Sequence, residues 1–252
     1  LTAPNGSEVW TVGSTQPVTW SKVGSIANVK LDYSTDGGVS YPNVIVASVA
    51  AGAGSYSWVI PDAITTTARV KVTDVTDVLV NDAADANFKI AGSLTVTAPN
   101  GGEAWLIGGS QNITWTLTGS IANVKLEYSI DGGTTYPNLI IASTAADPLP
   151  TDSAGTYAWT IPDAPSIQAR VKITNAADAT VNDTSNTNFN IRGSVTVTSP
   201  NGTEVWVVGA SQNITWTKTG SFANVELRYS TNSGVSYLNV IIASTPAATL
   251  SY

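Results

Sequence analysis

The chain contains no cysteine, no histidine and no methionine. Without cysteine there is no disulfide, no thiolate nucleophile and no Cys-ligated metal. Without histidine the commonest general base and the commonest zinc ligand are both missing. Charge is scarce as well: charged side chains make up 12% of the 252 residues, and 11 basic against 18 acidic groups leave a net charge of −7 with no basic cluster. Binding a phosphate backbone depends on Lys and Arg neutralising charge, so a nucleic-acid partner is not expected. The same deficit argues against docking on anionic membranes. No apolar run approaches the length needed to cross a bilayer, so this segment is not expected to insert in a membrane. A chain free of easily oxidised Cys and Met fits the exterior of a cell.

What fills the space is Thr, Ser, Val, Ala and Asn, the composition of pleated, half-buried surfaces. It is also repetitive. Pro4-Asn5-Gly6-Ser7-Glu8-Val9-Trp10 returns as Pro99-Asn100-Gly101-Gly102-Glu103-Ala104-Trp105 and as Pro200-Asn201-Gly202-Thr203-Glu204-Val205-Trp206. Val18-Thr19-Trp20 matches Ile113-Thr114-Trp115 and Ile214-Thr215-Trp216, and Gly24 to Val29 matches Gly119 to Val124 and Gly220 to Val225. The offset between the first two copies is 95 residues as far as Ser48 and Ser143, then 101 from Tyr56 and Tyr157. A six-residue insertion around Asp147-Pro148-Leu149-Pro150 accounts for the change, and its prolines place it in a loop.

Within one copy, apolar and polar residues alternate with period two, the mark of strands with one buried face. Val18 and Trp20 face inward; Val29, Leu31 and Tyr33 share a face; Val44 to Val46, Tyr56 to Ile60, Ala68 to Val72 and Asn87 to Ile90 complete the set. Several short strands separated by regular turn signals predict an all-β fold of tandem Ig-like (fibronectin III-like) β-sandwiches arranged as a rod. Trp20 and Trp58 would supply the aromatic centre that a disulfide supplies elsewhere. The boundaries read as repeat 1 over 1–92, repeat 2 over 93–193 and an incomplete repeat 3 over 194–252. Ile90-Ala91-Gly92-Ser93-Leu94 and Ile191-Arg192-Gly193-Ser194-Val195 leave two or three free residues between repeats, too few for a flexible coil, so neighbours are expected to touch end to end. Tyr252 aligns with Tyr56 and Tyr157, and no leader sequence precedes Leu1, so the chain reads as a window on a longer array.

The motifs P-N-G-x-E-x-W, I-T-W-T, N-V-x-L-x-Y-S, I-P-D and A-R-V-x-I resemble an extracellular Ig-like repeat of the N-terminal domain family of fungal cell-wall glucan-synthesis and Ser/Thr-rich GPI-anchored proteins, found also in large bacterial and archaeal surface proteins. The resemblance covers both full copies and the opening of the third. It implies a cell-surface scaffold and names no ligand. Ser34-Thr35-Asp36-Gly37-Gly38-Val39-Ser40-Tyr41 and Ser129 to Tyr136 also resemble the Asp-box of sialidase-like propellers. Propeller blades recur about every 40–50 residues, however, so the box reads here as a hairpin device in which Asp accepts from turn amides. In the third copy Asn232 and Ser233 replace its Asp and first Gly.

Candidate sites follow from what remains. Glu8, Glu103 and Glu204 recur once per copy, unlike the paired carboxylates of a glycosidase cleft, and read as caps of local amides or partners of Arg69 and Arg170. Arg69 has an alternative partner in Asp62, as Arg170 has in Asp163. Asp74, Asp77, Asp82 and Asp85, with counterparts Asn175, Asp178, Asp183 and Asn186, are oxygen donors for a possible Ca²⁺ at a domain end, set against a simple solvated loop. Trp10, Trp105 and Trp206, with Tyr41 and Tyr136, are candidate glycan or interface contacts, set against core packing. Asn5, Asn112, Asn182, Asn201 and Asn213 begin N-x-S/T sequons. Lys71 and Lys172 are conceivable partners of a Lys–Asn staple. No catalytic residue and no organic cofactor emerge. The sequence thus predicts a non-enzymatic, extracellular structural module of a surface protein, sheath or filament, a rigid spacer that self-associates or packs on neighbouring repeats. The alternative is a carbohydrate-binding or adhesive module, accessory to a polysaccharide-active enzyme and contacting cell-wall polysaccharide.

Overall fold

A computed structural model of the chain describes residues 1–147 and 153–252. Residues 148–150 of the expected insertion lie outside the described residues. The first set of strands comprises β1 (Val9–Thr11), β2 (Thr15–Thr19), β3 (Asn28–Ser34), β4 (Asn43–Ala50), β5 (Ser55–Val59), β6 (Thr65–Asp74), β7 (Asn81–Ala83) and β8 (Phe88–Ala91). They form one sheet in the order β1-β8-β6-β3-β4, with β7 also on β6, facing a second sheet of β2 and β5. The second set repeats it: β9 (Ser93–Ala98), β10 (Ala104–Leu106), β11 (Ser110–Thr118), β12 (Asn123–Ser129), β13 (Asn138–Ala145), β14 (Ala154–Thr160), β15 (Ser166–Asn175), β16 (Asp178–Thr184) and β17 (Phe189–Arg192). Its sheets run β10-β17-β15-β12-β13, with β16 on β15, and β14-β11-β9. The chain is all-β, built of tandem Ig-like sandwiches.

Alternation puts the expected residues inside. Along β6, Ala68, Val70 and Val72 are buried while Arg69 and Lys71 turn outward. Trp20 and its counterparts reach the centre and satisfy their indole N–H: Trp20 Nε1 donates to Ala51 O at 3.0 Å, Trp115 to Ala146 O at 2.8 Å and Trp216 to Ala247 O at 3.1 Å. Sequence alternation does not disclose the other half of the core. β1 is only three residues long, yet it pairs in parallel with β8 and swings Trp10 beneath Trp58 (ring centroids 6.0 Å apart) and Phe88 (5.0 Å). Trp105, Trp159 and Phe189 repeat the cluster at 6.1 and 5.1 Å.

The third set has β18 (Ser194–Ser199) paired with β19 (Thr215–Thr219), and β20 (Asn224–Tyr229) paired with β21 (Asn239–Pro246). Residues 194–252 hold no counterpart of Trp58 or Phe88. Among the described residues, the segment matching β1 and β10 is not in a strand. Trp206 is 42% exposed, against 7% for Trp10 and Trp105. The local motif is the same in all three copies; within residues 194–252 no ring matching Trp58 or Phe88 packs on Trp206.

Phe189→Ala removes the shared floor under Trp105 and Trp159. It is expected to lower the stability of the second sandwich by about 3–5 kcal/mol, read from urea unfolding followed by tryptophan fluorescence.

Candidate functional site: the junction between repeats

The boundary between sandwiches recurs with the same core of parts. Only Gly92 separates β8 from β9, and only Gly193 separates β17 from β18. Each glycine is pressed against the incoming repeat. A Cβ on Gly92 would lie 2.6 Å from Thr118 O and 2.9 Å from Ile121 Cδ1; on Gly193 it would lie 2.5 Å from Thr219 O and 2.8 Å from Phe222 Cδ1. No side chain fits there without moving backbone. The next turn closes the gap from the other side. Gly119 has φ +81°, and a Cβ there would come within 3.1 Å of Val12 and 3.2 Å of Ile64, residues of the preceding sandwich.

An aspartate then spans the boundary. Asp62, in the turn after β5, accepts the Ser120 backbone N–H on Oδ1 at 3.0 Å and the Ser120 hydroxyl on Oδ2. Asp163 does the same for Ser221, at 2.7 Å from the amide and 2.6 Å from the hydroxyl. Both oxygens of each carboxylate are used, so the contact fixes orientation as well as distance. These bonds hold the Asp163 carboxyl below its ordinary value, led by the Ser221 hydroxyl. The first junction carries one contact more: Lys89 of β8 pairs with Asp178 of β16 and donates to Thr180 Oγ1 at 2.6 Å. At the second boundary the residue matching Lys89 is Asn190, which carries no charge.

The Asp–Ser contacts correct an expectation. Arg69 meets neither Asp62 nor Glu8; its Nε donates to Asn87 Oδ1 at 2.7 Å and its Nη1 to Ala84 O at 3.2 Å. Arg170 repeats this with Asn188 and Ser185. Glu8 caps local backbone, taking the amides of Asn5 and Gly6 at 2.8 Å each, and Glu103 and Glu204 do the same in their copies. A usable signal was present: Pro-Asp and Gly-Ser recur with the same 58-residue separation in both copies.

The other candidates are dispersed. The possible calcium ligands do not converge. Asp74 binds its own Thr76, Asp77 accepts the Leu79 amide, Asp82 takes the Leu1 amine and Asp85 takes the Asn5 amide. Among the described residues no group of three or more acidic side chains could hold a metal ion. Trp10 and Trp105 are buried and offer no ring face to a sugar, a correction imposed by the parallel β1–β8 and β10–β17 pairing. Tyr41 and Tyr136 are half-buried, with Lys71 Nζ 5.6 Å and Lys172 Nζ 5.7 Å from their ring centroids. This places both lysines on the outer sheet face rather than in a core staple. Of the sequon residues, Asn112, Asn182, Asn201 and Asn213 are exposed; Asn5 spends its side-chain amide on Asp85 at 2.8 Å and Asn182 donates its own to Ala179 O at 2.9 Å.

The Asp-box is a hairpin. Asp36 accepts from the hydroxyl of Ser34, from the Ser40 amide (3.0 Å) and from the Ser40 hydroxyl (2.6 Å), and Ser34 Oγ accepts the Gly38 amide at 2.9 Å. Asp131 is held in the same way by Ser129 and Thr135. In the third copy Asn232 keeps the net by reversing one bond, its Nδ2 donating to Ser236 Oγ at 2.8 Å while Oδ1 accepts the Ser236 amide at 3.0 Å.

Compared with known proteins, the chain matches no family model and no curated protein. It is similar to the fibronectin(III)-like modules of Clostridium thermocellum CbhA at 11% identity, over 75% of this chain and 90% of that one, with a TM-score of 0.25. It is similar to the N-terminal eight Ig domains of Down Syndrome Cell Adhesion Molecule at 12% identity, over 98% of this chain and 37% of that one, with a TM-score of 0.32. For the titin domains z1z2 in complex with telethonin the values are 14%, 74%, 91% and 0.23. Likenesses of this size carry no functional inference.

The hydroxyls of Ser34 and Ser40 on Asp36, and of Ser129 and Thr135 on Asp131, hold these carboxyls far below their ordinary 3.8 with the help of turn amides. Their contribution is fully present above about pH 4 and is lost as the pH falls through the depressed folded value. Because Asn232 builds the same hairpin without titrating, Asp36→Asn with Asp131→Asn is expected to fold at neutral pH. It should also lose less melting temperature than the parent as the pH is lowered, measured by thermal melts across the acid range.

Proposed function

We propose that this chain is an extracellular structural array, a rigid spacer within a surface layer, sheath or filament, with no catalytic role. The observation that supports this most is the junction. A one-residue glycine linker, a packed Gly-Ser turn and a two-point aspartate contact occur twice with the same geometry. A linker of one residue has no coil entropy to exploit, and every contact added across the boundary reduces pivoting further. Each sandwich then adds roughly 30–40 Å to a stiff axis, given strands of up to about ten residues.

Charge and composition support the exterior setting: the chain needs no disulfide and carries no oxidisable sulfur. Membership of the fungal-type cell-wall repeat family is part of this proposal and rests on the P-N-G-x-E-x-W resemblance. A sugar platform would have to rest on Tyr41 and Tyr136, with a lysine ammonium poised over each ring, or on the exposed Trp206, which has no exposed counterpart in the first two copies, so the carbohydrate-binding reading takes second place.

Small-angle scattering of the chain tests the spacer reading. The expected profile is that of an extended particle with little inter-repeat flexibility, and Asp62→Ala with Asp163→Ala should shift it toward a pivoting one while leaving both cores folded. Freely pivoting repeats in the parent chain would contradict it. Protease treatment of intact cells that make the protein tests the location; release of these repeats is expected.

A further inference from the structure

A sandwich has strand edges, and a bare edge is a template for another strand, so the way each one is protected is informative. Here the edges differ. β1 and β10 end the larger sheets but are three residues each, too short to template a partner. β9, at one end of the smaller sheet, is tied to the opposite sheet, its Val96 amide donating to Asp183 Oδ2 of β16 at 2.7 Å. β4 and β13, at the other end of the larger sheets, are each broken by two register shifts against β3 and β12, and bulges of this kind twist an edge away from neighbours.

In the two full sandwiches the edge formed by β5 and by β14 has none of these devices. β5 pairs with β2 without a break from Thr15–Val59 to Thr19–Ser55, and β14 pairs with β11 without a break over seven residues. Among the described residues no strand pairs with the other side of either. Ile60 N donates to Ser14 O, and Trp20 N to Gly54 O. The alternation between them turns the backbone groups of Tyr56 and Trp58 toward β2 and those of Ser57 and Val59 toward the open edge. Ser55, Ser57 and Val59 are exposed, Val59 by 62%. No charged residue occurs from Gly37 to Pro61, and β14 has none either. Lysine, proline and bulges, the usual guards, are all absent from both strands.

We propose that the open edge of β5 and of its counterpart β14 is the surface on which a second copy of this chain adds its own strand. Two features favour a like chain over another occupant. Antiparallel addition of Ser55–Val59 to itself about Ser57 is two-fold symmetric, so the same edge can serve as both donor and acceptor. The chain carries a net charge of −7, so two copies repel over most of their surfaces, and an uncharged edge lets them meet without like-charge contact. The inference goes beyond the spacer reading and does not depend on it, because the edge belongs to a single sandwich and monomeric rods would still be spacers.

Sedimentation of the full chain over a wide concentration range tests it, with Ser57→Lys plus Ala158→Lys placing a cation at the matching exposed position of each edge. The parent should show concentration-dependent association. The edge variant should associate at least roughly ten-fold more weakly, since like charges directly opposite one another oppose pairing. Val195→Lys, on the exposed face of the third set, should leave pairing unchanged. A parent that stays monomeric throughout overturns the proposal. So does association that survives in the edge variant or disappears in the Val195 variant. Circular dichroism melts establish that the variants are folded, and Ser57→Glu plus Ala158→Glu replaces the lysine pair if that pair is not.

Discussion

One glycine joins each repeat to the next, and most of what distinguishes this chain follows from that shortness. With Gly92 or Gly193 as the whole linker, the incoming sandwich has to sit against the end of its predecessor, close enough that a methyl group on the linker would meet a backbone carbonyl. That proximity brings Ser120 within reach of Asp62 and Ser221 within reach of Asp163. The contact is solvent-exposed, and its value lies in direction rather than in energy: an exposed charge-assisted pair adds little stability, but a two-point one selects a single orientation. The cores make each sandwich, and the linker makes the series.

Much of the fold was legible because strand alternation and repetition both record local constraints. Val18, Trp20, Leu31, Val70 and Val72 are buried where period two places them. Trp10 was not legible in that way. Its burial depends on β8, eighty residues later in the chain, and on a parallel pairing only three residues long, neither of which leaves a periodic trace. The partner of Asp62 was missed for a similar reason. Alternation says which face a strand residue occupies but nothing about what lies past the strand's end, and an arginine nearby in sequence was the more obvious partner. The acidic run from Asp74 to Asp85 looked like a ligand set in sequence because its members are close in number; in the fold each carboxylate is spent on its own turn or on the chain's opening segment.

The hairpins show how much variation the architecture tolerates. Asn232 builds with one reversed hydrogen bond what Asp36 and Asp131 build as carboxylates. Ser233, at φ +56°, takes the left-handed position that Gly37 and Gly132 occupy in the other copies. No such substitution occurs at the junction glycines or at the aspartate and serine that face each other there. The hairpin admits a chemical equivalent, whereas the glycine, aspartate and serine of the boundary are the same in both places, and only the added Lys89–Asp178 contact differs.

The central claim is that consecutive sandwiches behave as one body, and residual dipolar couplings of backbone amides in residues 1–91 and 93–192 measure it directly. The account predicts that a single alignment tensor fits both sets. Two tensors of different magnitude, one for each sandwich, would show independent reorientation and contradict it.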